Sequence, residues 1–291
     1  MHDVAVIGAG PCGIAASIFL KRAGFDIILF ERKKIGGLLL NANLVENYPG
    51  FPYGINGLKL CKLMEEHLKK WNIKPLIKEV KKIIVENDYF YVNIKQDKIK
   101  CKAMIIATGT KPKELDISID KGLIGKKVFY EINDLLPIIR TKDICTVIGG
   151  GDAAFDYSLN LAEKGIITDI FFRTEKPNCL SILEERVKKS LKIKIHSSVK
   201  PYKIKKNNKK IEVSFKCSKD NSIIKKLTDY VLIACGRVPN LDLISKIKKG
   251  DISGLFIAGE LNNAEYRQVG IAVGHGLYAA MSAEKYLRGR K

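Results

Sequence analysis

The chain has 291 residues, 46% of them apolar, enough for one or two domains with cores of their own. It contains no run of 18 apolar residues to span a bilayer, and its first strand begins by residue 3, leaving no room for a leader; the expected location is the cytoplasm. A net charge of +20 would draw an acidic partner to the surface, yet no basic helix or aromatic-interleaved strand marks a nucleic-acid reader, so nucleic acid is not the expected partner.

The β-branched run Val4–Ile7 enters Gly8-Ala9-Gly10-Pro11-Cys12-Gly13, a G-x-G-x-x-G turn, and a helical pattern follows from Ile14 to Lys21 before Gly24. A second apolar strand, Ile27–Phe30, ends on Glu31. Strand, glycine turn, helix, strand and terminal acid make a complete dinucleotide unit. Gly8 allows the tight turn, Gly10 lets backbone approach a pyrophosphate, and Gly13 lets helix and strand pack closely; Glu31 can accept hydrogen bonds from a ribose. Arg32 to Leu38 forms a basic turn around Gly36 and Gly37, suited to phosphates, and Val45 to Pro52 reads as loop. Leu58 to Trp71 carries apolar residues at helical spacing. Alternation predicts three short strands, at 77–85, 89–94 and 99–102. They lead into a buried strand, Ala103–Ala107, that ends in the small-residue turn Thr108-Gly109-Thr110.

The opening pattern then repeats. Cys145–Ile148 leads into Gly149-Gly150-Gly151-Asp152-Ala153-Ala154, a G-x-G-x-x-A turn, with a helix through Glu163 and a strand from Asp169 to Phe172. Strands at Ile193–Ser197, Ile211–Lys216 and Val231–Ala234 mirror those of the first half, and Cys235-Gly236-Arg237 mirrors its closing turn. The lysine runs Lys203–Lys210 and Lys246–Lys249 read as solvated turns. Leu255–Ala258 is another buried strand, ending in Gly259 and Glu260, and a last helix runs from Tyr266-Arg267-Gln268 to Leu287. A repeated nucleotide unit suits two dinucleotides lying near each other. The expected fold is α/β, with two Rossmann-like three-layer ββα domains. Residues 113–239 form the second, inserted in a first made of 1–112 and 240–291.

Over essentially its full length the sequence resembles the thioredoxin reductase group of small two-domain pyridine-nucleotide flavoproteins. The resemblance rests on Gly8–Gly13, Gly36-Gly37, Glu46-Asn47-Tyr48-Pro49-Gly50, Ala107-Thr108-Gly109, the second glycine turn, Ala258-Gly259-Glu260 and Tyr266-Arg267-Gln268. It implies FAD on the first domain, at Gly8, Gly10, Pro11, Cys12, Gly13, Glu31, Arg32, Gly36, Gly37, Leu38, Asn47, Val80, Ala107, Thr108, Gly109, Gly259, Glu260, Arg267, Gln268 and Val269. It implies NADPH or NADH on the second, at Gly149, Gly150, Gly151, Asp152, Ala153, Ala154, Arg173, Lys176, Gly236 and Arg237, with hydride passing to the flavin. It also implies a homodimer.

The departures from that group matter more. The seven cysteines, at 12, 61, 101, 145, 179, 217 and 235, include no C-x-x-C, which argues against a local redox pair and a zinc site. Where thioredoxin reductases carry their dithiol this sequence has Glu131 and Asp134. Carboxylates cannot be oxidised or reduced there, so disulfide reduction by that route is excluded and no catalytic side chain is assigned. The two acids are expected to be surface or capping residues rather than an acid/base pair. Gly151–Tyr157 and the Val128–Glu131 stretch are more similar to the thioredoxin-reductase-like ferredoxin–NADP reductases, which lack the dithiol. Their C-terminal extension is not seen in this sequence, which ends at Lys291. The His-Arg-Arg run of NADPH readers becomes Phe172-Arg173-Thr174, with Glu175 and Lys176 next, so the choice between NADPH and NADH stays open. Leu38 replaces a Gln and Glu260 an Asp, while His275 reads as a packed helix residue and Cys12 as a bystander. The leading expectation is an FAD-dependent oxidoreductase moving electrons between NAD(P)H and an external acceptor, an acidic carrier such as ferredoxin or flavodoxin. Two alternatives stand beside it. One is a divergent thioredoxin reductase homologue acting on oxygen, quinones or small disulfides; the other is a flavin-bearing sensor or assembly subunit without turnover.

Overall fold

A computed structural model describes residues 1–94, 97–247, 252–261 and 266–290. Contacts divide the chain into two compact units. One comprises Met1–Leu40, Val45–Lys111 and Val238–Lys291; the other comprises Asn41–Leu44 and Pro112–Arg237.

The first unit opens with β1 (His2–Ile7), α1 (Pro11–Arg22) and β2 (Ile27–Glu31), followed by α2 (Gly57–Lys70), β3 (Leu76–Ile77), β4 (Lys82–Glu86), β5 (Tyr89–Ile94) and β6 (Asp97–Ile106). Strand β1 lies parallel between β2 and β6. Strands covered on both faces need apolar residues at every position, so Val4, Ala5, Val6, Met104, Ile105 and Ile106 are fully buried without alternation. Helix α1 starts with Pro11, whose missing N–H and fixed φ suit a first helical position. Helix α2 is capped by Asn56, whose side chain accepts from the Leu58 and Lys59 N–H groups.

Two strand expectations change here. The stretch 77–85 is not one strand: β3 pairs parallel with β2, whereas β4 pairs antiparallel with β5. The chain must leave one partner for the other between them. Conversely, 99–102 and 103–107 are not separate, because β6 is continuous and changes partner along its length. Its first half pairs with β5 and its second half with Leu255–Ile257.

The chain crosses through β7 (Thr110–Pro112) into β8 (Ser118–Ile119), β9 (Val128–Phe129), α3 (Ile132–Leu135), β10 (Ile144–Ile148), α4 (Asp152–Glu163), β11 (Ile167–Phe171), α5 (Ser181–Lys189), β12 (Ile193–His196), β13 (Val199–Asn207), β14 (Lys210–Cys217), β15 (Ile223–Thr228) and β16 (Tyr230–Ile233). A parallel sheet in the order β12-β11-β10-β16-β9 packs against a second sheet, β15-β14-β13-β8, through Ile148, Phe171, Val213, Phe215 and Val231. Its other face is covered by the helices through Phe155, Leu161 and Val187. The Lys203–Lys210 run is strand, turn and strand rather than a solvated turn: Ile204 is fully buried between an exposed Lys203 and a half-buried Lys205, and Asn208 turns the hairpin at φ 52°. One apolar residue among lysines was too little alternation to reveal it. Lys246 closes a short 3-10 turn, and Lys248 and Lys249 lie outside the described residues.

The return passes through β17 (Arg237–Pro239), adds β18 (Leu255–Ile257) beside β6, and closes with α6 (Val269–Gly289), which lies against α1. Among the described residues no helix is long and apolar enough to cross a membrane.

Candidate dinucleotide-binding sites

The two glycine turns are one structure built twice. Gly8 N–H donates to Phe30 O at 2.8 Å, and Gly149 N–H to Phe171 O at 2.9 Å. Ala107 N–H donates to Ile7 O at 2.8 Å, and Ala234 N–H to Ile148 O at 2.7 Å. Gly8 has φ +107° and Gly149 φ +148°; a Cβ on either would stand 2.3 Å from the carbonyl oxygen of Ala107 or Ala234, so only glycine fits. This register makes Phe30 equivalent to Phe171. Glu31 is therefore equivalent to Phe172, and Arg32 to Arg173.

In the first unit Glu31 is a buried carboxylate fixed on both oxygens: Ala9 N–H donates to Oε2 at 2.9 Å and Lys33 N–H to Oε1 at 2.8 Å. A Cβ at Gly10 would meet nothing within 4 Å, while one at Gly13 would stand 1.8 Å from Gly8 O. Open space thus lies at the α1 N-terminus, where Gly10 supplies no side-chain cap and Pro11 and Cys12 begin the helix. That combination is what a pyrophosphate needs. The basic turn folds over it: Gly36 N–H donates to Ala9 O at 2.7 Å, and a Cβ at Gly37 would stand 3.2 Å from Gly10 Cα. Leu38 follows in a 3-10 turn. Thr108 donates to Asn240 O at 3.1 Å, Gly109 takes φ +62°, and Glu260 accepts from Thr110 at 3.3 Å. Asn47 donates at 2.8 Å to Gln268, which stands at the N-cap position of α6 ahead of Val269 without a side-chain capping bond. Arg267 immediately precedes that cap, and Val80 is buried in the core beside the sheet. A carboxylate for a ribose, an open helix N-terminus and two facing glycines fit FAD.

The second unit differs at the strand tip. Phe172 occupies the place of Glu31, is 4% exposed, and packs where a Cβ at Gly150 would come within 2.9 Å. The following loop closes on the glycine turn: Asn178 N–H donates to Gly150 O at 2.7 Å, and Leu180 N–H to Asp152 at 2.9 Å. Gly151 caps α4 without a side-chain bond, and Asp152 and Ala153 are exposed while Ala154 is buried. Arg173 and Lys176 are exposed, at the strand end and in the loop. Gly236 turns at φ +100°.

Arg237 is committed elsewhere, to an ion pair between Nη1 and Glu131 Oε1 at 2.7 Å, with the two side chains 14% and 21% exposed. Asn41, in the same unit, donates to Glu131 Oε2 at 2.7 Å. Glu131 is therefore neither a surface residue nor a side-chain cap: it stands at the N-cap position of α3 but makes no capping bond. Asp134 is exposed in the first turn. Nearby, burial pushes the Asp156 carboxyl up to about 6, against two backbone N–H groups, from Asn43 and Leu44, that hold it down. Sequence reasoning missed Asn41 and Asn43, because nothing local marks them. The exchange of Glu31 for Phe172 was available by aligning the two glycine turns.

All seven cysteines are free. Burial pushes the thiols of Cys12, Cys61 and Cys101 up to about 12, so Cys12 is not a nucleophile despite its place in the turn. His275 donates through Nδ1 to Gly259 O at 3.3 Å.

A double dinucleotide fold with these sites defines a two-domain flavoprotein oxidoreductase. Residues 2–271 match the model of the family described as "Pyridine nucleotide-disulphide oxidoreductase", and the chain belongs to that family. It is 30% identical to the thioredoxin reductase of Chlamydia pneumoniae over 97% of each chain, and 30% identical to that of Bacillus subtilis strain 168 over 99% of this chain and 95% of the relative. The crystal structure of Lactococcus lactis thioredoxin reductase is similar with a TM-score of 0.90 and 29% identity, covering 99% of this chain and all of that one. The bacillithiol disulfide reductase of Staphylococcus aureus, at 19% identity and a TM-score of 0.79 over 100% of this chain and 99% of its own, shares the fold. The chain is a thioredoxin-reductase-like flavoprotein using FAD and a pyridine nucleotide.

Proposed function

We propose that this oxidoreductase passes electrons from NAD(P)H through FAD straight to an external acceptor, with no thiol pair of its own between flavin and acceptor. The observation that carries this is Glu131. At the position that resemblance gives to a dithiol stands a carboxylate held by Arg237 and Asn41, and no two of the seven cysteines stand at C-x-x-C spacing. FAD, when bound, supplies hydride acceptance and onward electron transfer. The chain's own residues bind and orient. The Gly8–Gly13 turn and α1 N-terminus hold the pyrophosphate, Glu31 takes the ribose hydroxyls, and Glu260 sits beside Thr110 to take the ribityl chain. Gln268, fixed by Asn47, opens α6, whose first turn offers N–H groups and positive partial charge to an anionic ring. In the domain spanning 113–239, Gly149–Ala154 hold the nicotinamide dinucleotide with Arg173, Lys176 and Gly236 at its edge, while Arg237 serves the ion pair.

The acceptor that suits a net charge of +20 is an acidic carrier, ferredoxin or flavodoxin. The relatives are named for thioredoxin, but a chain without an internal thiol pair cannot hand electrons over by dithiol exchange. The working form is a cytoplasmic homodimer. The test is anaerobic: holoenzyme reduced with NADPH is mixed with oxidised flavodoxin, ferredoxin or thioredoxin at low and high salt. Reoxidation of the flavin by an acidic carrier, slowing as salt rises, is expected, with none by thioredoxin. Rapid reoxidation by thioredoxin, or carrier rates indifferent to salt, would overturn the proposal.

A further inference from the structure

Helix α6 crosses the start of α1 at Gly276, where a Cβ would stand 2.1 Å from the Cys12 carbonyl oxygen. The preceding residue, His275, is half-buried, and its Nδ1 lies 3.3 Å from Gly259 O. A carbonyl only accepts, so Nδ1 carries the proton, and in the neutral ring Nε2 is the bare nitrogen. Gly259 opens the turn Gly259–Leu261 at φ +75°, a conformation that glycine alone enters readily. A Cβ there would also press to 3.3 Å from Cys12 Sγ. The turn is fixed behind by Ala258 N–H on Ile106 O at 2.9 Å, and ahead by Glu260 accepting from Thr110 at 3.3 Å. Gly276 sets α6 on α1, and His275 clips the Gly259 turn to α6.

We propose that His275 is a positioning residue for Glu260: its Nδ1–H holds the Gly259 carbonyl and so places the carboxylate for gripping FAD. This rests on FAD occupying the first unit and is independent of the acceptor. The test is titration of FAD into apoprotein carrying His275→Asn, His275→Ala or His275→Phe. The amide of Asn can put a donor where Nδ1 stands, Ala removes it, and Phe keeps the ring without it. A neutral hydrogen bond is worth about threefold to tenfold in an equilibrium constant, so Ala and Phe should weaken FAD binding by that factor and Asn should restore most of it. Apoprotein melting temperatures should fall by no more than about 2–4 °C for Ala and Phe, the loss of one hydrogen bond, and a larger fall would mark a packing role instead and overturn the proposal. Nitrogen NMR of the apoprotein should show the Nδ1–H tautomer. Asn as weak as Ala, Phe as tight as wild type, or an Nε2–H tautomer would overturn the proposal. Wild-type apoprotein that takes up no FAD would sink the cofactor assignment, and the tautomer would still decide the Gly259 contact.

Discussion

Removing the carboxylate of Glu131 by Glu131→Ala deprives Arg237 of a partner 2.7 Å away and Asn41 of an acceptor at the same distance. With 14% and 21% exposure the pair lies between two regimes. Exposed pairs contribute about 0.5 kcal/mol, whereas breaking a fully buried one costs about 3–5 kcal/mol. An intermediate loss of about 2 kcal/mol, with roughly 1 kcal/mol more for the Asn41 hydrogen bond, is therefore expected. For a structure of this size that lowers the melting temperature by about 6–10 °C. The assay is thermal unfolding followed by far-UV circular dichroism, in a double-mutant cycle with Arg237→Leu. A coupling of at least about 1 kcal/mol is expected. A coupling below about 0.5 kcal/mol, or an unshifted melting temperature for Glu131→Ala, would show that the ion pair does not hold this position.

The glycines of the first turn should separate folding from binding. Gly10→Ala, with nothing within 4 Å of its Cβ, should fold normally yet lose FAD, whereas Gly13→Ala, with its Cβ 1.8 Å from Gly8 O, should lose stability as well; flavin absorbance reports the first loss and the apoprotein melting temperature the second. Asp156 is raised in the fold to about 6 from an ordinary value near 4, so folding takes up a proton between those values. The contribution of Asp156 to stability is then highest below about pH 4, falls as pH rises to about 6 and levels off above. Asp156→Asn, which still accepts from Asn43, should exceed wild type by on the order of 2 kcal/mol above that range, with the gap closing towards about pH 4; a gap constant in pH would contradict this. Phe172 cannot accept a hydrogen bond from a ribose hydroxyl, and Arg173 can fork onto a 2′-phosphate, so NADPH should be preferred to NADH. Arg173→Ala should cut the ratio of their kcat/KM values by about tenfold, and an unchanged ratio would refute the assignment.

What could be read from the sequence was local. Gly8–Gly13 and Gly149–Ala154 announce their turns because each rule acts within a few residues, and the same alignment exposes Phe172 in the seat of Glu31. What depended on partners distant in sequence was lost. Ile77 and Lys82 look like one strand until β2 and β5 claim them separately, and β6 looks like two until its change of partner is seen. Glu131 reads as a surface acid because Arg237 lies 106 positions away and Asn41 lies 90 away. Local pattern records which backbone a segment favours, whereas pairing of side chains across the fold leaves no mark on spacing.

The decisive measurement is anaerobic titration of the holoenzyme with dithionite, followed by flavin absorbance. With no C-x-x-C among the seven cysteines and a carboxylate at Glu131, bleaching should be complete after about one two-electron equivalent per FAD. Consumption of about two equivalents before the absorbance is fully lost would reveal a thiol pair exchanging electrons with the flavin, and would contradict direct delivery to the outside acceptor.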